Sequence, residues 1–208
     1  MHHPARNAKL VQIGEATLLQ SIDAALADAA RRAGEFLACR IGCTQCCYGT
    51  FAINALDAAR LRLGMAVLRE KDPSLAAAIE LRARAWLAEY GADFPGDRET
   101  GALGTSEDDQ SRFEDFANDA ACPALDPATG RCDVYQWRPM TCRVFGPPVR
   151  AAAENGAEGL GHCELCFIDA TPEQVAACEM PVPHALEAEL LDEIGLKDET
   201  IVAFALLR

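Results

Sequence analysis

The sequence predicts a mainly α protein whose helices frame an irregular, cysteine-rich centre, with a short β-hairpin inside it. Three observations carry that expectation. Aromatic residues make up only 6% of a chain that is 50% hydrophobic and rich in alanine, which favours close-packed helices over a sheet sandwich. Apolar residues recur at helical spacing in several windows. Ten cysteines in 208 residues are too many for ordinary core use and too dilute for a small disulfide-stapled scaffold. The length suits one domain, residues 1–208, with a cysteine-rich core over about 39–166 and terminal helices packed around it.

The elements follow in order. From Glu15 to Ala38, Leu18, Leu19, Ile22, Leu26, Ala29, Ala33 and Phe36 mark one amphipathic helix that runs into Cys39. Gly42 and Gly49 break the period. Asn54 and Asp57 then offer a cap and a third-position carboxylate for a helix to about Arg69. Asp72-Pro73 reads as a cap and first-turn proline for a helix that buries Leu75, Ile79, Ala83, Trp86 and Tyr90 and stops at Gly91. Residues 92–110, acidic and glycine-bearing, read as an exposed, flexible connection. A short helix is expected at Ser111–Asn118. The turn sequence DPATG, Asp126 to Gly130, folds Cys122 and Cys132 towards each other. A flexible AAAENGAEGLG segment leads to Cys163, and Thr171 caps a helix with Pro172 in its first turn. Helices at Val182–Ile194 and Asp198–Leu207 complete the prediction.

Composition excludes several functions. With Lys+Arg 19 against Asp+Glu 32 the formal charge is −13, so generic nucleic-acid binding and attraction to anionic membranes are not expected. No run reaches bilayer-spanning length, and the first twenty residues lack the apolar core of a secretory signal, so a cytoplasmic location is expected. In a reducing compartment a thiol set points to metal before disulfides. The adjacent pair Cys46 and Cys47 agrees, being badly placed to bridge each other yet able to face one ion or cluster. There is no GxGxxG, GxxxxGK[ST] or HExxH pattern, and no recognisable pairing of a serine or cysteine with a histidine.

The candidate ligands fall in three groups. CRIGCTQCC supplies Cys39, Cys43, Cys46 and Cys47, whose short intervening turns allow convergence. Cys122, Cys132 and Cys142 follow at intervals of ten, and Cys163 and Cys166 carry the two-residue gap common to zinc knuckles and iron–sulfur loops. Of these, Cys43, Cys46, Cys47 and Cys142 are expected to include the dominant ligands. Charge supports the assignment: the segments 39–56 and 120–152 sum to about +3, which leaves −16 elsewhere. Basic residues beside thiolates lower their pKa and hydrogen-bond to sulfur. Arg138 and Arg143 are the favoured thiolate partners, ahead of Arg40 and Arg150. Cys178 reads as a small buried hydrophobe, His162 as solvated, and Tyr135, Trp137 and Phe145 as cover for the centre. His2, His3 and His184 carry no signal.

Taken together, CRIGCTQCC, CPAL at Cys122, GRCDVY at Cys132 and WRPMTCRVFG around Cys142 resemble the YkgJ-like cysteine cluster family, whose members are described as zinc- or iron-chelating proteins. The cysteine region of the flagellin lysine N-methylases is similar. The resemblance implies that Cys43, Cys46, Cys47, Cys122, Cys132 and Cys142 match the family's recurring cysteines, with Cys39 opening the set and Cys163 or Cys166 closing it. Many members place two residues between the first two cysteines where this chain has three. The expectation is therefore a protein that binds an iron–sulfur cluster, such as 4Fe–4S, or zinc, in a closed, non-catalytic redox, metal-handling or structural role. The alternative is a metalloenzyme or methylase-related protein using the same centre. Nine thiols exceed the four that one ion or cluster needs, so either two centres exist or several thiols are structural.

Overall fold

The computed structural model describes residues 4–152 and 158–208. In chain order its elements are α1 (Pro4–Ala33), α2 (Ala55–Lys71), α3 (Pro73–Tyr90), α4 (Glu107–Glu114), β1 (Leu125–Asp126), β2 (Arg131–Cys132), α5 (Met140–Val144), β3 (Val149–Ala152), β4 (Glu158–Gly161), α6 (Pro172–Ala177), α7 (His184–Ile194) and α8 (Val202–Ala205). The fold is mainly α, with two small antiparallel strand pairs, β1–β2 and β3–β4. The chain divides into two compact units: a central one from residues 41–140 and 197–208, and a flanking one from residues 1–40 and 141–196.

In the central unit, α2 and α3 begin where their caps lie. The Asn54 side chain accepts the Asp57 N–H at 3.1 Å, and the Asp72 side chain accepts the Leu75 N–H at 3.0 Å. The two helices pack on each other and on α8, burying Leu61, Met65 and Ile79 with Ile53, Val134 and Leu206. An aromatic cluster adjoins α3: Phe94 and Phe204 lie 4.9 Å apart between ring centroids, and Phe116 meets Trp86 edge-on at 5.9 Å.

That cluster explains why residues 92–110 are not the exposed, flexible connection the composition suggested. Phe94 and Pro95 are buried, Leu103 donates its N–H to the Glu199 carbonyl at 2.8 Å, and the Thr200 hydroxyl donates to the Gly101 carbonyl at 2.6 Å. Two hydrophobic residues outweigh the acidic composition because burying them holds the whole loop. The next helix begins at Glu107, earlier than the expected Ser111, because the Ser106 side chain accepts the Asp109 N–H at 3.1 Å and its acidic first turn suits a helix N-terminus. Likewise α8 is shorter than the expected Asp198–Leu207. Thr200 is committed to an extended bridge with Ile53, with N–H···O distances of 2.8 and 2.9 Å.

In the flanking unit, α1 starts at Pro4 and ends at Ala33, five residues short of the expected Ala38. Gly34 at φ +51 stops it, and a 3-10 turn carries the chain to Phe36. Leu18, Ile22, Ala29 and Ala33 are its buried face, and α7 packs against it. Thr171 and Gln174 form a reciprocal cap at the start of α6, at 3.3 and 2.8 Å. Part of the expected flexible segment is strand, with Val149 opposite Gly161 and Ala152 opposite Glu158. The remainder, residues 153–157, lies outside the described residues, as do His2 and His3.

Candidate metal centre

Two local structures bring thiols together in the central unit. The first is the turn at Gln45–Cys47, closed by the Cys47 N–H donating to the Thr44 carbonyl at 2.8 Å. The second is the β1–β2 hairpin. The Asp126 carboxylate accepts the Ala128 N–H at 3.1 Å and the Thr129 hydroxyl at 2.5 Å, so DPATG forms the expected turn and pairs Leu125 with Cys132. Leu125 in turn donates its N–H to the Cys122 carbonyl at 2.9 Å. The two structures are joined by backbone: Cys122 donates to the Cys47 carbonyl at 2.7 Å, Gly49 donates to the Ala120 carbonyl at 3.0 Å, and Tyr48 bridges Ala121.

The result is a half-buried quartet, Cys46, Cys47, Cys122 and Cys132, whose members act on one another electrostatically. The Cys47 thiol donates to the Cys46 sulfur. Mainly through that bond, and against the opposing effect of burial, the Cys46 thiol falls to about 6, helped by its own backbone N–H and the Arg138 charge. Donation, burial and the nearby Cys46, Cys122 and Cys132 together push Cys47 well above the ordinary thiol range. Burial raises Cys122 to about 12, with the Ala124 and Leu125 N–H groups working against it. Cys132 is raised as well, by burial first and the Asp133 charge after it, while the Val134 N–H and Arg138 oppose the shift.

Arg138 is the cation of this site. Its guanidinium lies 3.9 Å from the centre of the Tyr135 ring and donates to the Tyr135 carbonyl at 3.1 Å, and the residue is only 8% exposed. The segment that carries it is fixed from α2. Arg60 Nη1 donates to the Arg138 carbonyl at 3.3 Å and to Asp57 Oδ1 at 2.8 Å, while both Asp57 oxygens accept the Met140 N–H at 3.0 and 3.1 Å. Sequence reasoning read Asp57 as a helix-start carboxylate. Its burial and its reach to Met140, 83 residues away, had no local signal.

The other expected site residues are placed as follows. Cys43 is half-buried in the central unit, on the segment that leads into the Gln45–Cys47 turn. Cys39, Cys142, Cys163 and Cys166 belong to the flanking unit. The turn and the hairpin of the central unit bring the expected ligands Cys46, Cys47, Cys122 and Cys132 together. Arg143 is buried against Asp23 at 2.7 and 3.0 Å, and Arg150 pairs with Glu179 at 3.0 and 2.7 Å. Of the two favoured arginines, Arg138 is the one whose charge favours the Cys46 and Cys132 thiolates. Trp137 is half-buried, packed on Gly64, whereas Tyr135 and Phe145 are exposed. Beside Cys122 a small cleft opens, lined by Thr50, Phe51, Trp86 and Ile201.

Among the described residues no three His, Cys, Asp or Glu side chains are already drawn together around a point where an ion could sit. The donor chemistry of the quartet nevertheless suits zinc or iron: four thiols on short, hydrogen-bonded turns, half shielded from water, with one guanidinium at hand to offset thiolate charge. A helical scaffold around such a sulfur set defines a cysteine-cluster, metal-chelating protein. Residues 38–164 match the family model CxxCxxCC, described as "Putative zinc- or iron-chelating domain", and the chain belongs to this family. This is the YkgJ-like resemblance legible in the motifs. No curated protein and no solved structure matches the chain. No described helix is long and apolar enough to cross a membrane.

Proposed function

We propose that the chain holds iron or zinc in a sulfur-only centre built on Cys46, Cys47, Cys122 and Cys132, and that the centre serves a non-catalytic redox, metal-handling or structural role. The observation that carries this reading is the backbone seam that joins the Cys46–Cys47 turn to Cys122, whose N–H donates to the Cys47 carbonyl at 2.7 Å, and to the hairpin that pairs Leu125 with Cys132. An iron–sulfur cluster is placed ahead of zinc. Cysteine-only ligation, a vicinal cysteine pair and a nearby arginine suit a centre that needs charge compensation at sulfur, although four thiolates would also hold a tetrahedral zinc ion. A reducing, cytoplasmic setting would keep these thiols available to the metal.

The test is purification without oxygen, followed by a visible spectrum and metal and sulfide analysis. Iron with acid-labile sulfide and broad visible absorbance supports the cluster. A colourless zinc protein overturns the cluster but keeps the site. Serine at Cys122 or Cys132 should remove the metal in either case, and retention of full metal content in both variants would sink the ligand assignment.

The cleft beside Cys122 favours a second reading, a metalloenzyme with an exchangeable position on its centre. Reversible, saturable change of the metal spectrum on adding cyanide or azide, without metal loss, would move this reading ahead.

A further inference from the structure

Cys46 and Cys47 are badly placed to bridge each other, but the backbone sets Cys47 opposite a different cysteine. We propose that Cys47 and Cys122 are an oxidation site, which hydrogen peroxide joins in a reversible disulfide across the seam between the Gln45–Cys47 turn and the segment entering the hairpin. This is a reaction of the two sulfurs with each other, separate from chelation.

The register of the seam carries the assignment. Tyr48 and Ala121 form an antiparallel bridge, flanked by the Cys122 N–H donating to the Cys47 carbonyl at 2.7 Å and the Gly49 N–H donating to the Ala120 carbonyl at 3.0 Å. In antiparallel geometry that pattern sets Cys47 opposite Cys122 and Gly49 opposite Ala120. Opposed residues joined in this way stand about 5.5 Å apart between Cα atoms and send their side chains to one face. A disulfide spans roughly 4.4 to 6.8 Å between Cα atoms, so rotation about χ1 closes the bond without moving the backbone.

The seam stays close beyond the two cysteines. Gly49 adopts φ +86, and a Cβ there would stand 3.1 Å from the Asn118 carbonyl oxygen. The Thr50 hydroxyl donates to the Ala117 carbonyl at 3.4 Å, and the Cys47 N–H is tied to the Thr44 carbonyl at 2.8 Å. Both cysteines are half-buried, within reach of a molecule as small as peroxide, and Cys122 is backed by the core of the unit. Cys132 has no such partner in the hairpin, where it stands opposite Leu125.

The chemistry balances with peroxide as the only added reactant. One sulfur of the pair attacks a peroxide oxygen; the O–O bond breaks, and the departing hydroxide takes the thiol proton and leaves as water. The second sulfur attacks the resulting sulfenic acid; the S–S bond forms, the S–O bond breaks, and hydroxide leaves with the second thiol proton as another water. The two thiols lose two electrons and one peroxide becomes two waters. A small thiol reopens the bond by exchange, so in a reducing compartment it is transient, as redox-sensing disulfides are. A consequence rests on the function proposed above: the bond removes two of four ligands and closes the centre to metal until it is reduced.

The experiment treats the reduced, metal-free full chain with a small excess of hydrogen peroxide, blocks remaining thiols with iodoacetamide and digests with trypsin without reduction. Cleavage after Arg40, Arg60, Arg112 and Arg131 puts Cys47 in residues 41–60 and leaves Cys122 as the one cysteine of residues 113–131. The expected product is these two peptides joined, two hydrogens lighter than their sum, formed in the intact chain and in Cys46→Ser but absent from Cys47→Ser. Fragment ions of the joined peptide assign the cysteine in the intact chain should a variant misfold. Absence of the joined peptide, a link from Cys122 to Cys132, or a link that survives in Cys47→Ser and vanishes in Cys46→Ser would overturn the site. Zinc uptake of the linked chain should fall by one equivalent and return with dithiothreitol. Undiminished uptake by a chain that carries the link would instead overturn Cys47 and Cys122 as ligands and leave the oxidation site standing.

Discussion

Cys46 and Cys47, adjacent in the chain, shift in opposite directions because the Cys47 thiol donates a hydrogen bond to the Cys46 sulfur, which favours the Cys46 thiolate and holds the proton on Cys47. At pH 7 the metal-free pair should be one thiolate and one thiol, not two thiols. A folded value of about 6 for Cys46 places its ionisation about one unit below neutrality. Iodoacetamide should therefore modify Cys46 with a rate that is already near its plateau at pH 7 and declines as pH falls through about 6. Cys47, Cys122 and Cys132, all raised, should react only at alkaline pH. Mass mapping after timed alkylation of the reduced, metal-free chain reads this directly. Equal labelling of all four at pH 7 would refute the pairing. A linked expectation follows for metal uptake. Four thiolate ligands, one already ionised, leave about three protons to be released when the quartet takes up zinc at pH 7.5. Calorimetry of the reduced, metal-free chain in buffers of different ionisation enthalpy measures that number. Release of about four would show that Cys46 is not ionised beforehand. The local charge count in the sequence singled out Arg138 and Arg143 equally. It could not tell that an acid on α1, 120 residues away, would claim Arg143.

On the scale of elements, helix α2 fixes the segment 138–140 through Asp57 and Arg60. Both are buried, so Asp57→Ala removes the carboxylate that pairs with the Arg60 guanidinium inside the unit and should cost about 3 to 5 kcal/mol. Asn54→Ala, which removes the side-chain cap at the half-buried start of α2, should cost about 1 kcal/mol. Urea denaturation with an unchanged slope compares the two. A cost at Asp57 no greater than at Asn54 would mean the pair does not clamp the segment. Helices with side-chain caps were the elements most legible in the sequence: α2, α3 and α6 begin where Asn54, Asp72 and Thr171 stand. The hairpin was equally legible, since Asp126 and Gly130 define its turn locally. Elements set by distant contacts were not. Residues 92–110 read as polar linker until Phe94 found Phe204, and α8 lost its first turn to the bridge between Ile53 and Thr200. The backbone of the central unit joins the Cys46–Cys47 turn to Cys122 and to the hairpin that carries Cys132, about 75 to 86 residues onward by their numbering, a link that spacing alone does not fix.

For the whole molecule, the central unit is discontinuous in sequence: residues 41–140 are completed by 197–208. Ile201, Val202, Ala205 and Leu206 are buried there, and deleting 198–208 would uncover the partners of Ile53, Leu61 and Ile79. Such a truncated chain should bind a hydrophobic dye, melt without a cooperative transition and lose the metal of the quartet, while a cut after Leu207 should do none of these. Calorimetry and dye fluorescence check the pair. Full metal content with a cooperative melt after deletion of 198–208 would show the last residues to be dispensable.

The discontinuity also orders events during synthesis. Ribosomes deliver the chain from its N-terminus, and all ten cysteines, the last being Cys178, are made before Ile201 to Leu206 are available to close the core around the quartet. A nascent chain therefore displays a full set of thiols before residues 197–208 complete the core of the central unit. Oxidants and stray ions encountered in that interval act on an open chain, so the yield of correctly loaded protein should depend on how reducing the surroundings are during synthesis more than on how much metal is offered afterwards.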